Sequence, residues 1–270
     1  MKNVIKGMEP PLLTSYRTAY PRSTWEMMRR DRITGKDAYK KCREDSISQQ
    51  GGLCAYCECD ISDNNHDKCR VEHFHPRSDR TTTHNYALDW QNMLGVCNGG
   101  SKAISGDSDL YLLPSKTNQS CDTHKNTMIQ VGNLVENCNG YILNPLLISA
   151  FPSLFSINKT TGELKPGDAG IIDQIQLPHN NYQTTTELVD KTIKYLNLNC
   201  DRLTQARKKV ILAIEKEKQE QRTLGNSPEQ TLDNLCHKHF QKCWQKFFTT
   251  RRLCLAPRSD LYLQTIGYQG

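Results

Sequence analysis

The chain has 270 residues, of which 36% are hydrophobic and 24% charged, with 35 Lys/Arg against 29 Asp/Glu. That length accommodates one large domain or two small ones, and no apolar run approaches the ~20 residues that span a bilayer. The formal charge of +6 is unevenly placed: residues 201–252 hold 12 Lys/Arg against 6 Asp/Glu, which suits contact with a phosphate backbone or a solvated helix face. Twelve cysteines would mean disulfides in a small secreted chain. Here Met1-Lys2-Asn3-Val4-Ile5 lacks the apolar core of a signal peptide. A reduced, cytoplasmic protein is expected, with some cysteines on a metal and the others free or buried.

Residues 1–50 form the first region, an arm punctuated by Pro10-Pro11 and Pro21. Ser23-Thr24-Trp25-Glu26 reads as a capping box that starts a helix. Gly35 interrupts it, and a second helix is expected from Asp37 to Gln50, ended by Gly51-Gly52. Such an arm packs on the core or docks on a partner.

Residues 51–150, the second region, hold the chemistry. Strands around Leu53–Tyr56 and Val71–Phe74 are expected to pair as a hairpin, and a helix is expected from about Cys121. Cys54-Ala55-Tyr56-Cys57 places two thiolates on one tight turn, where both reach a single tetrahedral zinc, and a later pair completes the four ligands. Cys97 and Cys121 are the favoured pair, with Cys59, Cys69 and Cys138 near enough to compete. The Gly/Ser/Asn-rich segment Asn98–Ser120 reads as an exposed loop. Glu72-His73 sets an oxygen ligand for a hard cation beside a base that works near neutral pH. Asn144-Pro145-Leu146 turns the chain out of this region.

Residues 151–270 begin with a small hairpin, Phe155-Ser156-Ile157 and Glu163-Leu164-Lys165 around Thr161-Gly162, and are then helical. Thr184-x-x-Glu187 is a capping box. Leu203, Ala206, Val210, Ile211 and Ile214 follow helical spacing. Ser227-Pro228 caps and starts a further helix, and the apolar stripe from Leu232 to Phe248 reads as core, its aromatic end as core or interface. His237, His239 and Cys243 fit core packing better than a second metal cluster. No Walker A loop is present, so any control by ATP comes from a partner.

The order CxxC, Glu-His-x-x-Pro, Trp-x-Asn, then Cys and a Cys…Lys helix resembles HNH endonucleases of the ββα-metal type. Val71–Ser78 (VEHFHPRS), Leu88–Cys97 (LDWQNMLGVC), Ile142–Leu146 (ILNPL) and Leu196–Arg207 (LNLNCDRLTQAR) are similar to the PtuB branch, the HNH subunit of Septu antiphage systems, also found beside some retrons. The resemblance implies an α+β fold: a small zinc-stapled ββα-metal core with an N-terminal helical arm and a mainly α-helical C-terminal region. It implies His73 as general base and Glu72 as ligand to a catalytic Mg²⁺ or Mn²⁺. Asn92 either orients His73 or adds a metal oxygen. Asp122 fills the third position, where the family usually has His or Asn, and His124 competes for it. Zinc on Cys54, Cys57, Cys97 and Cys121 is a separate structural ion. His75, Arg77 and His124 are candidate substrate contacts, with a supporting or exposed role as the alternative for His75 and Arg77. The implied function is a bacterial antiphage effector that cleaves DNA or RNA, tRNA included. Its implied partners are a PtuA-type ATPase subunit and a retron reverse transcriptase with its nucleic acid. The rival is a non-catalytic, zinc-stabilised nucleic-acid-binding or adaptor module.

Overall fold

In the computed structural model the described residues are 1–65, 67–79, 81–102, 115–241 and 244–270. Helix α1 (Pro11–Ala19) starts on a proline, whose missing N–H is an orphan at a first turn anyway. Helix α2 (Trp25–Arg30) is capped by Thr24, whose hydroxyl accepts from the Met27 N–H at 3.2 Å, one residue later than the expected Ser23 cap. Helix α3 (Gly35–Gln49) begins at Gly35 rather than being broken by it. A Cβ there would stand 2.3 Å from the Met28 carbonyl oxygen, so the glycine allows the two helices to meet.

Strands β1 (Cys69–His73) and β2 (Met93–Cys97) pair antiparallel, with Cys69 opposite Cys97 and His73 opposite Met93. The expected hairpin is therefore corrected. Leu53 makes only an isolated bridge to Asp60, because residues 54–59 curl into a knuckle closed by the Cys54 N–H on the Cys59 carbonyl at 2.9 Å. The true partner, Met93–Cys97, is buried at all five positions and carries no alternation.

Helix α4 (Cys121–Gln130) follows as expected, then the hairpin β3 (Phe155–Ile157) and β4 (Leu164–Pro166). The remaining helices are α5 (Ala169–Ile172), α6 (Thr185–Tyr195), α7 (Asp201–Thr223), α8 (Pro228–Phe240), α9 (Phe248–Cys254) and α10 (Arg258–Thr265). Thr184 caps α6 through the Glu187 N–H, and Ser227 and Gln230 form a full capping box on α8. The architecture is α+β, helices around two small sheets. None of the described helices is long and apolar enough to cross a membrane.

Two apolar clusters position the site. The larger joins the cysteine knuckle to β2, α6, α7, α8 and α9. The smaller places Leu13, Tyr16, Trp25, Met28 and Ala38 of the N-terminal helices against Leu88, Trp90 and Met93. Trp90 Nε1 donates to the Gly7 carbonyl at 3.2 Å, and Lys6 Nζ lies 3.2 Å from the centre of the Trp90 ring. The N-terminal segment thus packs directly behind the strand pair.

Candidate functional site

At one end of the hairpin the cysteines converge. Cys57 and Cys97 sulfurs lie 3.7 Å apart, Cys97 and Cys121 3.7 Å, and Cys54 and Cys121 3.9 Å. A tetrahedral zinc with Zn–S bonds of about 2.3 Å has a sulfur–sulfur edge of about 3.8 Å. Three of the six edges among the favoured cysteines thus match a structural zinc. Backbone N–H groups of Cys97 and Gly99 point at the Cys54 and Cys97 sulfurs, at 3.3 and 3.4 Å. Hydrogen bonds from neighbouring thiols, that of Cys121 first, hold the Cys57 thiol well below its ordinary pKa.

Cys59 is a fifth sulfur. Its thiol belongs to a group with those of Cys54, Cys57 and Cys97 whose ligand atoms all lie within 4.8 Å of one another. Cys69 and Cys138 instead turn to the carbonyls of Asn65 and Val135, at 3.2 and 3.3 Å. Cys243 and residues 103–114, most of the expected loop, lie outside the described residues.

The loop that carries Cys121 is braced by the Leu196–Arg207 segment. The Cys121 N–H donates to the Leu196 carbonyl at 2.8 Å. Asn197 Nδ2 reaches the Thr117 and Gln119 carbonyls at 3.0 and 2.8 Å, and Arg202 Nη2 reaches Ser120 Oγ at 2.8 Å. Gly99, at φ 64°, fits here because a Cβ would stand 2.4 Å from the Ser120 carbonyl oxygen.

At the other end lies a cavity of about 570 Å³, lined among others by Trp25, Glu72, His73, Arg77, Lys125 and Asn126. His73 is 8% exposed. Its Nε2 lies 3.1 Å from the Ala87 carbonyl oxygen. A carbonyl only accepts, so Nε2 carries the proton and Nδ1 is the basic nitrogen. Burial pushes the imidazole pKa down to about 3, against the opposing pull of the Ala87 carbonyl, so the ring is neutral at physiological pH. The Trp25 ring packs edge-on to it, with centroids 4.6 Å apart.

Four charges tie β1 to α4. Alternate strand residues share a face, which places Arg70 and Glu72 together opposite Asp122 and Lys125, one helical turn apart. Arg70 grips both Asp122 oxygens, at 2.6 and 2.9 Å. Lys125, 4% exposed, is ion-paired with Glu72 Oε1. Burial, then the Glu72 charge, push the Asp122 carboxyl up to about 7, against Arg70.

Asn92 spends its side chain on backbone. Its Oδ1 accepts from the His75 N–H at 2.6 Å, and its Nδ2 donates to the His75 and Tyr86 carbonyls, both at 2.9 Å. His75 lies beyond β1, its ring stacked on Tyr86 at 3.8 Å and its Nε2 2.7 Å from Asp79. Arg77 lines the cavity and pairs with Glu26 at 2.8 Å. His124 is half-buried on α4, its pKa lowered by that burial.

The structure thus brings Glu72, His73 and Arg77 onto one cavity, whose lining does not include Asp122, His124, Asn92 or His75. Sequence reasoning missed Trp25, Lys125 and Asn126 as cavity residues. For Lys125 the signal was legible: it closes the Cys121–Lys125 motif at helical spacing from Asp122, opposite strand charges that alternate. Trp25 carried no such signal. The donor set on the cavity, a carboxylate with an amide and an imidazole nearby, fits a hard divalent cation through Glu72. Asp122, with both oxygens on Arg70, is the poorer donor.

An acid, a neutral imidazole and a lysine on one cavity beside a four-sulfur staple make a frame for metal-assisted phosphoryl chemistry. No family model matches the chain. It is 33% identical over 213 residues to an Escherichia coli protein named, provisionally, as the HNH endonuclease of retron Ec83, an alignment covering 78% of this chain and 79% of that one. The chain belongs to the HNH endonuclease family.

Proposed function

We propose that the chain is the cytoplasmic nuclease effector of a bacterial antiphage system of retron or Septu type, hydrolysing phosphodiester bonds of DNA or RNA with a divalent cation. The reading rests above all on one observation: His73, its Nε2–H committed to the Ala87 carbonyl, lines a cavity with Glu72 at the end of β1. The similarity to a retron-named protein supports the retron setting. A PtuA-type ATPase and a reverse transcriptase with its nucleic acid are the proposed partners.

In this reading Glu72 is the ligand of a Mg²⁺ or Mn²⁺, which when bound stabilises charge on the scissile phosphate and the leaving oxygen. His73 Nδ1, kept deprotonated by its burial, takes the proton of the attacking water. Asn92 is a positioning residue: by holding the Tyr86 carbonyl it fixes the neighbouring Ala87, whose carbonyl sets the His73 tautomer. Arg77 meets a phosphate at the cavity mouth. Zinc on Cys54, Cys57, Cys97 and Cys121 holds the fold and takes no part in the chemistry, because four thiolates leave no open position.

The test incubates zinc-loaded protein, with its operon partners, with Mg²⁺ or Mn²⁺ and duplex DNA, single-stranded DNA or tRNA. Cleavage by wild type that His73→Ala abolishes, at unchanged zinc content, supports the reading. Equal activity in His73→Ala sinks it and leaves the adaptor module.

A further inference from the structure

Glu72 is 9% exposed and Lys125 4%, and an ion pair joins them. A buried carboxylate must be compensated, or it carries the full cost of leaving water unpaired. Arg70 hydrogen-bonds both Asp122 oxygens and acts on Glu72 only through space, so Lys125 is the cation in direct contact with Glu72. Arg70, Glu72, Asp122 and Lys125 form one cluster of charged side chains between β1 and α4.

Lys125 sits on Glu72 Oε1, so a divalent cation that takes this oxygen, or both oxygens of the carboxylate, competes with the ammonium. An ion–oxygen bond of about 2.1 Å would bring the ion against the Lys125 ammonium, where like charges repel in a poorly screened site. An ion so placed displaces the ammonium. Lys125 has somewhere to go: it lines the same cavity as His73 and Arg77, where a phosphodiester would lie. Binding the ion adds positive charge to the cluster, and a phosphate is the charge that offsets it.

We infer that Lys125 is a placeholder cation: it neutralises Glu72 before the divalent ion binds, and once displaced it holds the substrate phosphate. The inference rests on the reading of Glu72 as the ion's ligand. It makes ion binding and nucleic-acid binding mutually reinforcing, since each favours Lys125 away from Glu72. An effector so built stays unloaded until its substrate arrives.

The test titrates Mn²⁺ by calorimetry into zinc-loaded wild type, Lys125→Met and Glu72→Gln, with and without a non-cleavable phosphorothioate oligonucleotide. Without oligonucleotide, Lys125→Met should bind Mn²⁺ at least tenfold more tightly than wild type, while its cleavage at saturating Mn²⁺ falls at least a hundredfold. The oligonucleotide should raise wild-type Mn²⁺ affinity and leave that of Lys125→Met unchanged. Equal Mn²⁺ affinity in wild type and Lys125→Met overturns the placeholder alone. Mn²⁺ binding that survives Glu72→Gln, or is absent throughout, overturns the ligand reading and the placeholder with it. If Lys125→Met fails to fold, amine acetylation of wild type followed by mass spectrometry decides. Lys125 should become modifiable when Mn²⁺ is added, and continued protection at saturating Mn²⁺ overturns the inference.

Discussion

The two ends of the β1–β2 hairpin solve the same problem, holding a short strand pair rigid, with different chemistry. At the Cys97 end, sulfurs 3.7–3.9 Å apart meet with backbone N–H donors behind them. At the His73 end, the Glu72–Lys125 ion pair and the Asn92 amide hold the chain, beside a cavity. A metal–sulfur staple is closed, strong and indifferent to neighbouring solvent. Ion pairs and side-chain bonds are weaker and can exchange partners. Stability should therefore concentrate at the first end and chemistry at the second.

Zinc removal should break the comparison most severely. Structural zinc in small domains supplies on the order of 10 kcal/mol of folding energy. Cys54→Ser or Cys97→Ser should lose the ion and the cooperative thermal transition, read by calorimetry and by metal analysis. Chelation of wild type should do the same, reversed by added zinc. Cys59→Ser sharpens the ligand set: it should keep one zinc per chain, and loss of zinc there with retention in Cys121→Ser would exchange the two residues.

Next come the braces of the other end. Asn92→Ala strands a buried N–H and two carbonyls and should cost about 2–3 kcal/mol by denaturant titration, with cleavage falling through a lower kcat at little-changed KM. His73→Ala should be milder in stability than Asn92→Ala, yet lose nearly all cleavage. A His73→Ala variant that melts as low as Cys97→Ser would erase the division between the ends.

A pH scan gives the smallest effect. Lys6 Nζ donates to the Trp90 and Met93 carbonyls behind the His73 end, and burial lowers its pKa to about 7. Below pH 7 both folded and unfolded chains hold that proton. Above it the folded chain releases it while the unfolded chain keeps it to about 10.5, so stability rises with pH. Between pH 7 and 8, wild type should gain about 1 kcal/mol relative to Lys6→Met in urea titrations.

Elements with local signals were legible in the sequence. The Thr184 and Ser227 caps, the Gly51-Gly52 stop and the β3–β4 turn each depend on a few adjacent residues. The cysteine convergence was also legible, since ligand chemistry restricts the choices. The β1 partner was not. Met93–Cys97 is buried on both faces, with Gly95 set so close under α3 that a Cβ would meet Ile47 at 3.1 Å, so its pattern gives no period to read. Helix α1 was hidden behind Pro10-Pro11, which read as punctuation. At the site, Glu72 and His73 were visible because their chemistry is written in adjacent residues. Trp25 was not, because it reaches His73 only through packing that the arm's own sequence does not state. The basic surplus of residues 201–252 is spent partly on structure: Arg207 is 1% exposed and holds the Leu198 carbonyl at 2.7 Å.

Strand β2 links the two ends, with Cys97 at the sulfur cluster and Asn92 just before its other terminus. The interval between them is five residues, about 17 Å of extended chain at roughly 3.3 Å each. Side chains alternate along it, so inserting or deleting one residue would turn the positions on one side of the change to the opposite face. Either Cys97 leaves the other sulfurs, or it stays and Asn92 with the first residues of β2 meet the wrong neighbours. Length is thus a stricter constraint here than identity. Substitutions between Asn92 and Cys97 can be absorbed by repacking, whereas a single-codon insertion or deletion should cost either the zinc or the activity.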